Sequence, residues 1–337
     1  MARCLELAMN GLGNTATNPL VGCVIVHDGR IIGEGYHHVF GGPHAEVNAI
    51  NSVSDKSLLK TATLYVNLEP CSHWGKTPPC ADLIIENKIP NVVIGTKDIY
   101  EEVNGKGIEK LKNAGIHVEI GVLEKESIDR NKRFFTFNIK KRPYIILKWA
   151  QTADGFIARE DHSSKWISNE YSRLLTHKWR SEELAIMVGT NTALYDNPQL
   201  SSRDMKGRHP ARIVLDKDLK IPESHHLFDG KIPTIVFTRK LKESKENLSF
   251  VRLDFGADSF LELVFDYLHN IGIQSVIVEG GAKLIQSFIN EDLWDEARVF
   301  EAEKVFFDKG IKAPSINKLP SQNIVIDDNE LHIVFND

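Results

Sequence analysis

Only four of the 337 residues are cysteine. That is too few for a disulfide framework in a chain of this length and leaves metal binding or catalysis as their use. No apolar run approaches the ~18 residues of a membrane span, and the run LVGCVIV (Leu20 to Val26) is strand-sized, so no membrane partner is expected. Positive charge is not in excess either: the formal net charge is −5, and no global basic field recruits nucleic acid or an anionic surface. The opening MARCLELAMNGLGN has neither the apolar core nor the cleavage pattern of a signal peptide, so a cytoplasmic location is expected. Internal repeats at solenoid periods and low-complexity tracts are missing as well. What is present, 42% hydrophobic and 26% charged residues, is the balance of a soluble globular protein long enough for two domains.

Helical and strand signals alternate along the first 125 or so residues. ARCLELAMNGLG is apolar at helical spacing, and GCVIVHDGRIIGEGYH reads as a hairpin turning at Asp28-Gly29. HAEVNAINSV (helix), ATLYVNLEP (strand), CADLIIENKI (helix) and NVVIGTKD (strand) follow, then a helix and strand in GIEKLKNAGIHVEIG. This alternation predicts a mixed or parallel sheet covered by helices. A basic segment, RNKRFFTFNIKKR, precedes Pro143. It reads as a linker or helix with Phe134, Phe135 and Phe137 packed inward, because one basic cluster in an acidic chain is a weak nucleic-acid footprint. The pattern then restarts with YIILKWA, NEYSRLLTHKWRSE, LAIMVG, ARIVLD, PTIVFT, SFLELVFDYLHNIG, SVIVEGG and AKLIQSFINED. The expected domains are therefore 1–142 and 143–337.

PHAE (Pro43 to Glu46) and EPCSHWGKTPPC (Glu69 to Cys80) carry the chemistry of the first half. A His-x-Glu at a helix start, followed by two cysteines that each succeed a proline, is the arrangement of zinc-dependent deaminases. His44 offers an imidazole nitrogen, and Cys71 and Cys80 offer thiolates. Three protein ligands leave one tetrahedral position for a water, which zinc acidifies towards neutral pH. Glu46, two residues from the histidine, is placed to shuttle protons without binding metal. A fourth protein ligand would close the site, so His73 is a candidate for substrate contact and not for the metal; an exposed loop histidine is the other reading. Cys23, inside an apolar strand, reads as core, and Cys4 as a helix-face residue.

Eight residues separate Cys71 from Cys80, whereas the zinc deaminases acting on nucleobases generally have two. This longer loop, with NPLVGCVIV and GEGYHHVFGGPHAEVNAI upstream, resembles the bifunctional riboflavin-biosynthesis deaminase–reductases, and the resemblance extends over essentially the whole chain. It implies a cytidine-deaminase-like three-layer domain followed by a dihydrofolate-reductase-like α/β domain. It also implies Zn2+ and NADPH as cofactors and phosphoribosylaminopyrimidines as small-molecule substrates. The first domain would convert 2,5-diamino-6-(5-phosphoribosylamino)pyrimidin-4(3H)-one to the uracil form, and the second would reduce the ribosyl group to ribityl. Asn18, in the Asn-Pro-x-Val-Gly motif, and His37, in Gly-x-Gly-x-His, fall on the family's substrate contacts. The family's Asp-Pro-Asn-Pro loop is replaced here by DIYEEVNGKG, which keeps Val103 and Gly105-Lys106-Gly107 but loses both prolines. Family members also commonly form homo-oligomers.

LKWAQTADGFIA, SSKWIS, VGTNTALYDNPQLSSR and VEGGAKLIQSF carry the resemblance through the second half. By match, cofactor contacts fall on Trp166, Thr192, Asp196 and the turn from Gly281, and substrate contacts on Ser164, Arg180, Leu200, Arg203 and Glu279; Lys148 is a further substrate-facing candidate. Arg180 and Arg203 suit a phosphate, since guanidinium forks bind it bidentately. Gly280-Gly281 between a strand and a helix offers free backbone amides to a cofactor phosphate, but it is not the Gly-x-Gly-x-x-Gly of a dinucleotide-binding Rossmann domain. Two other readings compete: a nucleoside or tRNA deaminase with an unrelated C-terminal domain, and a nucleic-acid-binding protein in which zinc is structural. The eight-residue interval and the second-half motifs count against the first. The second predicts salt-sensitive RNA binding that survives Glu46→Gln.

Overall fold

A computed structural model describes residues 1–74, 78–99, 104–163, 167–205, 207–257 and 259–336. The chain divides into two compact units, Met1–Lys141 and Arg142–Asp337. Among the described residues no helix is long and apolar enough to cross a membrane.

The first unit is built on strands β1 (Gly22–His27), β2 (Arg30–Tyr36), β3 (Thr63–Leu68), β4 (Asn91–Thr96) and β5 (His117–Ile120), in the order β2-β1-β3-β4-β5. β1 is antiparallel to both neighbours, while β3, β4 and β5 run parallel. Asp28 and Gly29 at the hairpin turn both have positive φ, 47° and 70°, as a two-residue turn of the strands' own twist requires. Alternation along the strands feeds two helical layers. Helices α1 (Ala2–Met9), α2 (Ala45–Ser52), α3 (Cys80–Glu86), α4 (Lys106–Asn113), α5 (Glu124–Arg130) and α6 (Lys132–Ile139) surround the sheet. Cys23 and Ile25 pack with Ala49 of α2, Ile84 of α3 and Leu111 of α4, whereas Val24 faces Cys4 and Leu7 of α1. Cys23 is thus core, and Cys4 lies on the buried face of its helix. The basic segment forms α6, with Phe134 and Phe135 buried.

The second unit contains β6 (Tyr144–Thr152), β7 (Phe156–Ala158), β8 (Ala185–Gly189), β9 (Ala211–Leu215), β10 (Thr234–Thr238), β11 (Leu248–Arg252), β12 (Ser275–Val278), β13 (Glu296–Ala302), β14 (Ile311–Lys312), β15 (Gln322–Ile326) and β16 (Asn329–Phe335). Its nine-stranded sheet has the order β11-β10-β9-β8-β12-β6-β13-β16-β15. The strands from β11 to β13 run parallel, and β16 and β15 close the edge antiparallel. Helices α7 (Glu170–Glu182) and α8 (Thr190–Asp196) lie on one face, α9 (Phe260–Asn270) and α10 (Ala282–Asn290) on the other. Ile145, Leu147 and Met187 pack with α9 and α10; Tyr144, Ile146 and Val188 pack with Trp179 and Ala193 of α7 and α8. Strands covered on both faces read as continuous apolar runs, as SVIV does in β12. The sequence pattern does not place β13, because its buried interior carries a charge pair: Arg298 Nε donates to Glu296 at 2.6 Å, and the guanidinium lies 4.5 Å from the Trp179 ring.

Candidate functional site

In the first unit, α2 approaches β2 so closely that a Cβ on Gly35 would stand 2.3 Å from the Ala49 nitrogen; only glycine permits this contact. The helix start so placed puts His44 at the N-cap and Glu46 in the first turn. β3 ends at Leu68, just before Cys71, and Pro79 leads into α3 at Cys80. His44 Nδ1 lies 3.6 Å from Cys71 Sγ and 3.3 Å from Cys80 Sγ. The three donor atoms all fall within 4.8 Å of one another. Tetrahedral zinc with bonds of about 2.0–2.3 Å separates such donors by roughly 3.5 Å, so the donor set and its spacing fit the metal.

The electrostatics agree with a thiolate–imidazole centre. A hydrogen bond from Cys80, together with His44, pushes the Cys71 thiol well below its ordinary range, helped by the Cys80 backbone N–H, which donates to its sulfur at 3.3 Å. The contact with Cys71, then burial, raises Cys80: without metal the two sulfurs share one proton. Burial raises the Glu46 carboxyl, opposed by the nearby His44.

A cavity of about 450 Å³ opens onto this centre and is lined by Asn18, His37, His44, Glu46, Cys71 and His73, all expected from the sequence. His37 Nδ1 donates to the Pro43 carbonyl at 3.0 Å, and its Nε2 lies 3.0 Å from Asn18 Nδ2. A carbonyl only accepts, so the neutral ring carries its proton on Nδ1 and accepts from Asn18; burial lowers its pKa and keeps it neutral. The Asn18 side-chain oxygen is then the atom that residue has left to offer a ligand. Sequence reasoning missed Glu69, Asp98, Phe134, Phe137 and Asn138 in the same wall. The last three come from the basic segment, whose aromatics were the available signal.

In the second unit the corresponding region lies at the carboxyl ends of parallel strands, where open α/β sheets bind ligands. Glu279, Gly280 and Gly281 follow β12, and α8 follows β8 directly. Lys148, Arg180, Leu200 and Arg203 line a cavity of about 540 Å³. Arg180 presents its fork to Glu279 at 2.7 and 2.6 Å, and this pair, rather than an open arginine, occupies the position expected for a phosphate contact. Burial by itself raises the Glu279 carboxyl, but Arg180, assisted by Lys148, outweighs it and holds the group at about 2. Burial lowers the Lys148 ammonium. Arg173, Thr176 and His177 line the same cavity and were not singled out. With Arg180 they form a stripe at helical spacing on α7, a signal that was there to find.

Of the residues matched to cofactor contacts, Thr192 and Asp196 lie on α8, which follows β8, and Gly281 follows β12. A Cβ on Gly280 or Gly281 would stand 3.3 or 3.1 Å from Thr192 Oγ1, so the bare turn and Thr192 form a cradle that a side chain would fill. Gly281 is the N-cap of α10, which suits a phosphate. Burial raises the Asp196 carboxyl. Ser164 and Trp166 lie outside the described residues.

Residues 143–306 match the family described as the RibD C-terminal domain, and residues 1–96 the cytidine and deoxycytidylate deaminase zinc-binding region. The riboflavin biosynthesis protein RibD of Aquifex aeolicus is 43% identical over 309 residues, covering 90% of this chain and 86% of that protein. The chain belongs to the RibD family. A deaminase/reductase from Thermotoga maritima, similar in structure, has 41% identity and a TM-score of 0.88 and covers 99% of this chain and 96% of its own. Acinetobacter baumannii RibD has 31% identity and a TM-score of 0.89, with 99% and 97% covered. As a RibD-family enzyme the chain is a bifunctional deaminase and reductase of riboflavin biosynthesis, with zinc serving the first activity and NADPH the second. Its units have the cytidine-deaminase-like and dihydrofolate-reductase-like folds expected from the sequence.

Proposed function

We propose that the first unit deaminates 2,5-diamino-6-(5-phosphoribosylamino)pyrimidin-4(3H)-one, with His44, Cys71 and Cys80 as metal ligands and Glu46 as proton carrier. The observation that carries this reading is the three-donor cluster opening, beside buried Glu46, onto one cavity with Asn18, His37 and His73. Zinc bound there supplies a Lewis acid that acidifies water to near neutral pH. Glu46 takes one proton from the attacking water and delivers it to the ring nitrogen, then takes the second from the new hydroxyl and gives it to the amine, which departs as ammonia as the carbonyl forms. The burial of Glu46, which raises its pKa, suits a group that must hold each proton between uptake and delivery. Neutral His37 orients Asn18, whose side-chain oxygen accepts from the substrate.

The second unit then reduces the ribosyl group of the product to ribityl. NADPH supplies the hydride. Arg203 holds the substrate phosphate, and Gly281 and Thr192, with Asp196 and Trp166, hold the cofactor. Ser164 and Leu200 complete the substrate contacts. Glu279, kept ionised by Arg180, balances charge, and Lys148 beside it gives the proton to the ring oxygen as the sugar opens. Homo-oligomeric association and a cytoplasmic setting belong to the same reading and rest on the family resemblance.

The test is incubation of the zinc-loaded protein with the diaminopyrimidinone phosphate, with and without NADPH. The aminouracil should accumulate without NADPH and the ribityl product appear with it; no turnover under either condition would refute the reading.

A further inference from the structure

Helix α4 begins without a cap of its own. Gly105, at the N-cap, has φ +84° and no side chain to meet the free N–H groups of the first turn, which every helix start must satisfy. They are satisfied from another element. Glu69, buried at the end of β3, accepts from Gly107 at 3.0 Å and Ile108 at 3.2 Å through Oε1. Through Oε2 it accepts from Gly105 at 3.0 Å and Asp98 at 3.2 Å. One carboxylate thus holds four backbone donors, at Asp98 and at the start of α4, a charge-assisted arrangement reinforced by the helix dipole.

The contact is close as well as polar. A Cβ on Gly107 would stand 2.0 Å from the Pro70 carbonyl oxygen, so the helix start sits directly on the turn between Glu69 and Cys71. Gly105 and Gly107 lie at this helix start, and glycine loses the most conformational freedom on ordering, so its own sequence does little to fix it. Glu69 and Asp98 both line the deaminase cavity.

We propose that Glu69 is a positioning residue for the deaminase, holding Asp98 in the wall of the substrate cavity and capping the start of α4 across the fold. Neither the metal nor the proton transfer requires it. The inference rests on the deaminase reading of this cavity, and its consequence is confined to substrate binding: loss of the clamp loosens the wall and weakens binding while zinc and Glu46 stay in place.

Glu69→Gln in the full-length, zinc-loaded protein keeps the side chain's size but replaces one acceptor oxygen with a donor facing N–H groups. The expected result is a deaminase KM raised tenfold or more, kcat within about threefold of wild type and zinc still at one per chain. Amide exchange at Gly107 and Ile108 should accelerate at least tenfold. An unchanged KM overturns the proposal, as does a joint loss of zinc and kcat. Should that variant fail to fold, Gly107→Ala keeps the carboxylate but lifts the helix start off Pro70, and it must show the same rise in KM; a wild-type KM there overturns the proposal too. Amide exchange reads the clamp without substrate, so a wild-type protein that fails to turn over the pyrimidinone refutes the deaminase reading and is not mistaken for failure of the clamp.

Discussion

The two units solve the problem of holding reactive groups in opposite ways. In the first, the polar groups around the cavity are tied by hydrogen bonds into fixed protonation states: His37 neutral between Pro43 and Asn18, and Cys71 a thiolate between His44 and Cys80. In the second, the central groups are charges in an ion-paired lattice, Arg180 on Glu279 with Lys148 beside them. A metal centre demands donors within a few ångströms, so its ligands come from two short motifs. A site for a long cofactor and a phosphorylated substrate draws single residues from many strand ends. Substitutions should therefore fail differently: at the metal centre and Glu46 chemistry is lost from an intact fold, whereas in the second unit's charge lattice stability or binding is lost.

The largest expected effect is that of Glu46→Gln. Removing the proton carrier should lower deaminase kcat by about 10²–10⁴-fold, with zinc content and NADPH-dependent reduction of supplied aminouracil unchanged. Equal loss of zinc and deamination in metal analysis and kinetics would show that Glu46 belongs to the metal shell. Arg180→Ala comes next. The pair is 13% and 8% exposed, and breaking a buried pair from one side costs about 3–5 kcal/mol, because the remaining charge is left uncompensated. Calorimetry should show the second unit's transition falling while the first unit's stays in place, and Glu279→Gln in the same chain should recover part of the loss.

The same pair gives a pH signature. The Glu279 carboxyl, at about 2 in the folded protein, lies below its unfolded value of about 4.3. Its contribution is fully present above that unfolded value and is lost as pH falls towards the folded one. The second unit should therefore destabilise between about pH 4.3 and pH 2 in thermal melts, and Glu279→Gln should flatten that dependence. An unchanged slope would mean that other carboxylates carry the acid sensitivity.

The comparison also explains what could be read in advance. His44, Glu46, Cys71 and Cys80 were legible because metal chemistry fixes residue type and spacing together. Asn18 and His37 came with the family motifs around them, and His73 from the argument that a fourth protein ligand would close the metal site. Glu69 was not legible, since its partners are backbone amides 29 to 39 residues away, and backbone groups leave no mark on sequence. Phe134, Phe137 and Asn138 reach the cavity through the packing of α6, which a basic composition disguises. The hairpin, α2, β3, α3 and the parallel strands other than β11 and β13 followed from periodicity and turn residues. β13 did not, because Glu296 and Arg298 neutralise each other inside the core and break its apolar run. Arg180, expected as a substrate contact, lines the cavity, but the sequence does not reveal that Glu279 holds its fork.

The smallest expected effect is also the one that best separates the two sites. Arg203 is 55% exposed and its neighbour Asp204 is 3.8 Å away, a surface pair worth about 0–1 kcal/mol, so Arg203→Ala should leave the unfolding transitions nearly where they are. Yet its side chain lines the cavity with Lys148 and Arg180, and with Arg180 turned to Glu279 it is the more exposed of these two guanidinium groups and the more open to a phosphate. A charged hydrogen bond of about 1.5 kcal/mol corresponds to roughly a tenfold rise in the reductase KM for its phosphorylated substrate, with kcat nearly unchanged. A dephosphorylated substrate should show no such difference between variant and wild type. Deamination by the same variant should stay at the wild-type rate; a loss there would mean that the second unit's charge lattice reaches the first unit's chemistry, and the two sites would no longer count as independent.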